Sequence, residues 1–243
     1  MTGLPDARKL YDVVEATWPP FARQDCGPFT IREGRGGGKR VSAATVEGAF
    51  DMSDIEAAEA AMRALGQGLL FQIREGDAAL DAALETRGYE VVDPVTMYAA
   101  PASEIACERP PRTAAIPGWE PLRIMEEIWA AGGIGPDRIA VMHRAQGPKT
   151  GFVSRWRDKP AGTSFLAMCD GIGMVHALEI LPGQRRQGVA RWLMRKAAFW
   201  ILDQGGHTLA VICTSRNQGA NALYSSLGMK VVGEYHYRQK QSA

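Results

Sequence analysis

The sequence predicts an α/β protein built around a mixed β-sheet. Apolar and polar residues alternate along 174–180, which is typical of a strand with one buried face. After a proline–glycine turn the spacing becomes helical, with apolar side chains at Val189, Leu193, Ala197 and Ile201. Short apolar strands and amphipathic helices alternate along most of the 243 residues. This order of elements is typical of a sheet covered by helices.

Each predicted helix has an apolar stripe, and each predicted strand is a short apolar run bounded by turn-forming residues. Helices are predicted at 6–18, 53–65, 77–86, 122–131, 137–145, 188–204 and from Asn217. Strands are predicted at 29–32, 40–46, 69–74, 89–99, 151–156, 163–169, 174–180, 207–214 and 230–237. Ser53 is expected to cap the second helix, with Glu56 as its capping-box partner.

The composition excludes several classes of function. The chain has 28 Lys and Arg against 27 Asp and Glu, so no attraction to nucleic acid or to acidic membranes is expected. Four scattered cysteines are typical of free thiols in a reducing compartment, and the four histidines lack metal-ligand spacing, so no metal is expected. No secretory signal or membrane-length apolar run is visible, and a cytoplasmic protein is expected.

Two glycine-containing turns invite a phosphate-binding interpretation. The first, 34–39, joins two predicted strands and is expected to be a flexible hairpin loop, because no helix follows it directly. The second, 185–190, lies between a strand and a long helix. Gly188 would let a phosphate approach the backbone at the helix start, and Arg185 and Arg186 would add charge. For these six residues alone, a surface turn with arginines is an equally good interpretation.

The turn Arg185-Arg186-Gln187-Gly188-Val189-Ala190 resembles the Arg/Gln-x-x-Gly-x-Gly/Ala signature of the GNAT superfamily of acyl-CoA N-acyltransferases, with Ala190 as a permitted variant. A second run resembles the family's Asn-x-x-Ala-x-x-x-Tyr-x-x-x-Gly helix, through Asn217, Ala220, Tyr224 and Gly228. The resemblance covers about residues 113–240. It implies the GNAT fold and transfer of an acetyl group from acetyl-CoA to a primary amine, by direct attack in a ternary complex.

The same resemblance implies which residues bind the co-substrate and which act on it. The implied acetyl-CoA-binding residues are Leu178, Ile180, Arg185, Arg186, Gln187, Gly188, Val189, Ala190 and Asn217. Backbone N–H groups near 178–180 would hold the carbonyl oxygen. Tyr224 would protonate the departing thiolate; its structural alternative is an aromatic ring that packs the helix on the sheet.

The group that removes the amine proton has two candidates. His176 is the first, because imidazole titrates near neutral pH and because the run from His176 to Ile180 resembles the corresponding strand of serotonin N-acetyltransferases. On this interpretation the rate should fall below a pH near the ordinary histidine pKa of about 6.5. Glu179 is the second, although alternation would turn it to the opposite face of the strand. A hydrogen-bonded core histidine is the structural alternative.

A faint internal repeat suggests a tandem GNAT arrangement with a degenerate N-terminal half. Aligning Gly88 with Gly228 sets an offset of 140 residues and brings the strand at 69–73 under that at 209–213. Identities are few, so chance similarity is the alternative. In this alignment Leu84 and Asp77 replace the functional tyrosine and asparagine. The expected division is a non-catalytic unit at 1–100, a proline-rich linker at 101–117 and a catalytic domain at 118–243.

Two classes of function are compatible with these motifs. The first is an N-acetyltransferase whose partner is a small-molecule or peptide amine. The second is a non-catalytic acyl-CoA-binding sensor or regulatory module. Tyr224 and His176 favour the first, because a pure binding module needs neither. The identity of the amine and the possibility of a homodimer are left open.

Overall fold

The computed structural model describes residues 3–240, and it confirms the predicted α/β architecture with a mixed sheet. The helices are α1 (Ala7–Thr17), α2 (Met52–Ala64), α3 (Ala78–Thr86), α4 (Ala102–Ile105), α5 (Arg123–Ala131), α6 (Pro136–Arg144), α7 (Val189–Asp203) and α8 (Gln218–Ser226). The strands are β1 (Ala22–Cys26), β2 (Phe29–Glu33), β3 (Thr45–Val46), β4 (Leu69–Ile73), β5 (Glu90–Pro101), β6 (Ile116–Gly118), β7 (Lys149–Trp156), β8 (Lys159–Cys169), β9 (Ile172–Ile180), β10 (Thr208–Thr214) and β11 (Lys230–Lys240).

Eight strands form one sheet, in the order β4-β11-β5-β10-β9-β8-β7-β6. Helix α7 covers one face of β8, β9 and β10, where Leu166 and Val175 pack against its buried stripe. Helices α1 and α5 cover the other face of β8 and β9, around Phe165 and Trp129. Strands β1, β2 and β3 form a separate small sheet that packs against α2. Both faces of the central strands are therefore buried, which accounts for their continuous apolar runs.

The parallel strands β9 and β10 separate part-way along their length. They pair from Ile172 and Thr208 up to Val175 and Val211, and then diverge. Strand β9 also contains a bulge at Ala177, where φ is +50° and the register against β8 shifts. The divergence leaves a V-shaped opening through the sheet, next to the predicted catalytic residues.

The predicted 140-residue repeat is visible in the strand pairing. The units β4–α3–β5 and β10–α8–β11 exchange their last strands, so that β5 pairs with β10 and β11 pairs with β4. The two pairings have equivalent registers: Leu70 pairs with Gln239, and the residues 140 positions away from these two, Ala210 and Ala99, pair with each other. The order β4-β11-β5-β10 is therefore symmetric about its centre. The division of the chain at 1–100, 101–117 and 118–243 stays a prediction; the segment 101–117 itself contains α4 and the start of β6.

Three local predictions were wrong. The strand predicted at 40–46 is reduced to β3, because 39–41 forms a single 3-10 turn. The glycine-rich segment 34–39 is packed against α6: a Cβ on Gly37 would lie 2.6 Å from a methyl group of Val141. Helix α2 is capped by Asp51 rather than Ser53, and Asp54 closes the capping box. Asp51 accepts hydrogen bonds from the N–H groups of Ser53 and Asp54, so the helix begins earlier than a cap at Ser53 would allow.

Within residues 3–240 no helix combines the length and the apolar character that a membrane span requires. The same part of the chain contains no group of three or more His, Cys, Asp or Glu side chains arranged to hold a metal ion.

Candidate functional site

A cleft of about 1030 Å³ lies between the diverging ends of β9 and β10 and the first turns of α7 and α8. We call it the cofactor cleft. Nearly all of the predicted site residues line it: His176, Leu178, Glu179, Ile180, Arg185, Arg186, Gly188, Val189, Ala190, Asn217 and Tyr224. Gln187 does not line the cleft, because its side-chain amide donates to the Gly183 carbonyl at 3.1 Å. One cleft therefore brings together residues from both sequence motifs.

Gly188 is the N-cap of α7 and adopts the left-handed conformation, with φ +82°. Hydrogen bonding of the helix begins at the Trp192 N–H, which donates to the Gly188 carbonyl at 3.1 Å. The N–H groups before it therefore lack an intrahelical acceptor and are available to an anion. A Cβ on Gly188 would meet no atom within 4 Å, so the space in front of this backbone is open. This arrangement fits a pyrophosphate.

The two arginines of the turn have different surroundings. Arg185 donates from Nε to the Ile180 carbonyl at 3.0 Å and from Nη2 to Glu179 Oε1 at 3.3 Å. Its guanidinium thus fastens the turn to the end of β9. Arg186 is exposed and has no carboxylate within 4.0 Å among residues 3–240. Its guanidinium is therefore the one of the pair that is free to contact a phosphate.

Tyr224 lies on α8 with its ring 97% buried, and its hydroxyl makes no hydrogen bond to any residue in 3–240. Burial raises the pKa of Tyr224, so the phenol stays protonated at physiological pH. Its ring packs on Tyr98 from β5, at a centroid distance of 5.5 Å. Tyr98 and Cys213 both donate to Asn221 Oδ1, at 2.8 and 3.3 Å, which fixes the wall beside Tyr224. Burial raises the pKa of the Cys213 thiol to about 11.

His176 is 96% buried, and both of its ring nitrogens are occupied. The Thr17 hydroxyl donates to the Val13 carbonyl at 2.6 Å, so it accepts the Nε2–H of His176 at 2.9 Å. Arg40 Nη1 then donates to Nδ1 at 3.0 Å. The ring packs against Trp18 at 5.0 Å between centroids, with the two planes tilted by 32°. Burial and the Arg40 charge lower the pKa of His176 well below its ordinary value, which disfavours a rate dependence near that value. The rate dependence itself stays a prediction.

Glu179 and His176 lie on the same face of the sheet. His176 faces Phe165 and Glu179 faces Thr163, because the bulge at Ala177 inserts one residue between the two pairs. The prediction of opposite faces, which assumed strict alternation, was therefore wrong. The Glu179 carboxylate also lies against Gly132 at the end of α5, where an added Cβ would come 2.5 Å from Oε2. Gly132 thus leaves the space that this carboxylate occupies.

The chain is similar to known acetyltransferases. Residues 120–229 match the acetyltransferase (GNAT) family. The chain contains a GNAT acyltransferase domain. An uncharacterized N-acetyltransferase of Bacillus subtilis strain 168, YobR, is 24% identical over 249 residues, which span 97% of this chain and 99% of YobR.

Solved structures show that the fold extends beyond the matched residues. A GCN5-related N-acetyltransferase from Kribbella flavida superposes with a TM-score of 0.72 at 18% identity, over 98% of this chain and 96% of that one. A tandem GNAT protein from the clavulanic acid biosynthesis pathway superposes with a TM-score of 0.60 at 14% identity, over 96% and 89%. The predicted GNAT fold is confirmed, and its likeness to a tandem GNAT protein covers both halves of this chain.

A second cavity, of about 240 Å³, lies beside the cofactor cleft and is lined by residues from both halves of the chain. We call it the second cavity. Its walls include Trp18, Gly38, Arg40, Asp93, Arg138, Tyr235 and Tyr237. Arg40, Ala177 and Cys213 line both this cavity and the cofactor cleft, so the two spaces meet at the opening between β9 and β10.

Sequence reasoning missed the residues that the N-terminal half contributes. Arg40 follows the glycine-rich segment, and nothing in the local sequence pairs it with a strand far along the chain. Thr17 and Trp18 were recognised only as the end of a helix. Tyr98 reaches Tyr224 because β5 is inserted next to β10, and that placement follows from the strand exchange. The 140-residue repeat was the one signal that could have indicated it.

Proposed function

We propose that this protein transfers an acetyl group from acetyl-CoA to a primary amine of a small molecule or peptide. The reaction would proceed by direct attack of the amine within a ternary complex. The observation that carries the proposal is the meeting of the two cavities at Arg40, Ala177 and Cys213. The turn that would bind the pyrophosphate lines the cofactor cleft, and the second cavity is left for the second reactant. A single-substrate binding module has no use for such a junction.

The chain's groups are suited to the separate parts of this reaction. The first N–H groups of α7 and the free Arg186 guanidinium hold the pyrophosphate. Backbone N–H groups of β9 near 178–180, beyond the point where β9 stops pairing with β10, polarise the thioester carbonyl. The amine nitrogen forms the new C–N bond as the C–S bond breaks, and Tyr224 gives its proton to the departing sulfur.

Glu179 is the stronger candidate for removing the amine proton. Its side chain is 20% exposed, lines the cofactor cleft and lies on the face that carries His176. His176 has no free lone pair while Arg40 donates to Nδ1, and its low pKa disfavours protonation. We assign His176 to positioning Arg40, and keep proton removal by His176 as the second candidate. That role requires Arg40 to release the ring first.

The alternative class is an acyl-CoA-binding sensor or regulatory module without catalysis. The Tyr224 hydroxyl, which lines the cofactor cleft and makes no hydrogen bond to residues 3–240, favours catalysis, because a binding module does not need a proton donor there. We expect the protein to act in the cytoplasm, where acetyl-CoA is available and its four free cysteines stay reduced.

The test is turnover of a panel of primary amines with acetyl-CoA, followed by release of free thiol. Acetyl-CoA affinity is measured in parallel by calorimetry. Amine-dependent thiol release above the rate of spontaneous hydrolysis supports the transferase. Tight binding of acetyl-CoA with no turnover of any small amine or peptide would favour the binding module instead. Absence of binding would reject both.

A further inference from the structure

The second cavity carries more positive charge than its walls neutralise. Arg40 and Arg138 both line it, and neither has a carboxylate within 4.0 Å among residues 3–240. Arg40 uses Nη1 on His176, which leaves most of its five donors unused. Two guanidinium groups that face a common space without a partner form a site for an oxyanion.

The carboxylate in the walls of this cavity is not available to a ligand. Asp93 Oδ2 accepts from Lys39 Nζ at 2.8 Å, and Oδ1 accepts from Arg216 Nη2 at 2.9 Å. Both oxygens of Asp93 are thus paired with cations of the chain. A ligand ammonium would compete with these two cations for Asp93, whereas a ligand oxyanion meets unpaired donors. The charge balance therefore favours an acceptor with an anionic end.

The glycine-rich segment is what brings the two arginines together. Gly37 lets the backbone pack on Val141 of α6, as its close approach shows. Gly38 has φ +96°, and the Arg138 guanidinium lies 3.4 Å from the place where its Cβ would be. A side chain at Gly38 would be strained and would lie against Arg138. The segment at 34–39 thus places the backbone two residues before Arg40 against the Arg138 guanidinium.

We infer that the amine acceptor carries an oxyanion, a carboxylate or a phosphate, which Arg40 and Arg138 bind while the amine faces the junction with the cofactor cleft. This inference rests on the proposed transferase function. A cavity of about 240 Å³ suits a small molecule of this kind, such as an amino acid or an aminoalkyl phosphate. Trp18, Tyr235 and Tyr237 supply apolar surface for the carbon skeleton between the two charged ends.

The experiment compares matched acceptors that differ only in the anionic group. The carboxylate arm is a set of L-amino acids, the phosphate arm is phosphoethanolamine, and the neutral arm is the matching amino acid amides and ethylamine. For each compound, kcat/KM with acetyl-CoA and equilibrium binding to the coenzyme A-loaded protein are measured. We expect one anionic arm to exceed the neutral arm at least tenfold in binding. The arm that does so identifies the anion.

Three variants test which residues bind the anionic group of the acceptor. Arg138→Gln should raise KM for the preferred anionic acceptor about ten- to a hundredfold, the cost of losing a hydrogen bond to a charged group. It should leave kcat and the neutral amines unchanged. Arg40→Gln should raise the same KM and should also change kcat, because Arg40 lines the cofactor cleft and hydrogen-bonds His176. The control is Arg8→Gln, because Arg8 is exposed on α1 and lines neither cavity.

The inference is wrong if the neutral amines bind as tightly as the anionic acceptors or more tightly. It is also wrong if the Arg138→Gln variant keeps the wild-type preference for one class of anionic acceptor. These outcomes leave the transferase proposal unaffected. That proposal fails only if acetyl-CoA is not bound or no amine is acetylated. Because binding is measured on its own, a panel without turnover still decides whether the cavity prefers an oxyanion.

Discussion

The Nδ1 atom of His176 accepts a hydrogen bond from Arg40 Nη1 at 3.0 Å, across 136 residues of sequence. The contact joins β9 of the GNAT domain to the segment that follows β2 in the N-terminal half. It occupies the lone pair that a general base would need, and it places a guanidinium where the two cavities meet. The N-terminal half therefore supplies a side chain to the candidate site as well as strands to the sheet.

The buried imidazole should make the stability of the protein depend on pH. The pKa of His176 in the folded state lies well below its unfolded value of about 6.5. The unfolded chain therefore binds a proton that the folded protein excludes. The stabilisation from neutral His176 is fully present above about pH 6.5 and is lost as the pH falls below it, by at most about 1.4 kcal/mol per pH unit.

His176→Gln removes this titration and should flatten the pH dependence of the unfolding free energy below pH 6.5. Denaturant unfolding at a series of pH values measures it. The control is His207→Gln, because His207 is exposed and should leave the slope unchanged. Parallel slopes in the wild type and in His176→Gln would contradict a neutral buried imidazole.

The turn at Gly188 should be the main determinant of coenzyme binding. Gly188→Trp places a large ring in the open space before the helix N-terminus, so affinity for acetyl-CoA should fall at least tenfold. Any residue with a side chain is also strained at φ +82°. Gly205→Trp is the matched control, since Gly205 has φ +78°, open surroundings and lies at the other end of α7. Calorimetry should show lost affinity in the first variant alone; a similar loss in both would mean that backbone strain, not blocking, is the cause.

The Tyr224 hydroxyl should matter for the rate and not for binding. Tyr224→Phe keeps the ring that packs on Tyr98, and we expect kcat to fall about ten- to a thousandfold with little change in acetyl-CoA affinity. Tyr98→Phe is the control: it loses the 2.8 Å bond to Asn221, which should lower stability while kcat stays within about threefold. An unchanged kcat in Tyr224→Phe, with chemistry shown to be rate-limiting, would exclude the general-acid role.

Proton removal can be assigned by two further substitutions. Glu179→Gln should lower kcat about a hundredfold or more and abolish the fall in rate at acidic pH. His176→Gln should retain that acidic fall, since His176 is already hydrogen-bonded at both nitrogens. The pH profile of kcat in both variants is the measurement. The reverse pattern would make His176 the base, and a fall retained in both would leave deprotonation to the substrate's own free-base fraction.

The sequence was sufficient for the parts of the site that local patterns determine. Gly188 is identified by its place at a helix start and Tyr224 by the resemblance of its helix to the GNAT motif, and the structure brings both to one cleft. It was insufficient where one residue changes a register: the bulge at Ala177 moves Glu179 to the face of His176, and no feature of the run marks it. Arg40 was missed because its position depends on packing between distant segments, which carries no periodic signal.

The strand exchange predicts that neither half folds alone. Strand β11 has only β4 and β5 as neighbours, and β10 pairs with β5 on the side away from β9. At the centre of the exchange, Tyr235 faces Val95 across two strands from different halves. A fragment of residues 108–243 would therefore expose unpaired edges on β10 and β11, which promotes aggregation.

We expect this fragment to be insoluble or unfolded when expressed alone, as measured by size-exclusion chromatography and circular dichroism. Co-expression with residues 1–107 should restore a single folded species that binds acetyl-CoA. A monomeric 108–243 fragment that binds acetyl-CoA as well as the full chain would show that the exchange is dispensable, and would support an independent catalytic domain.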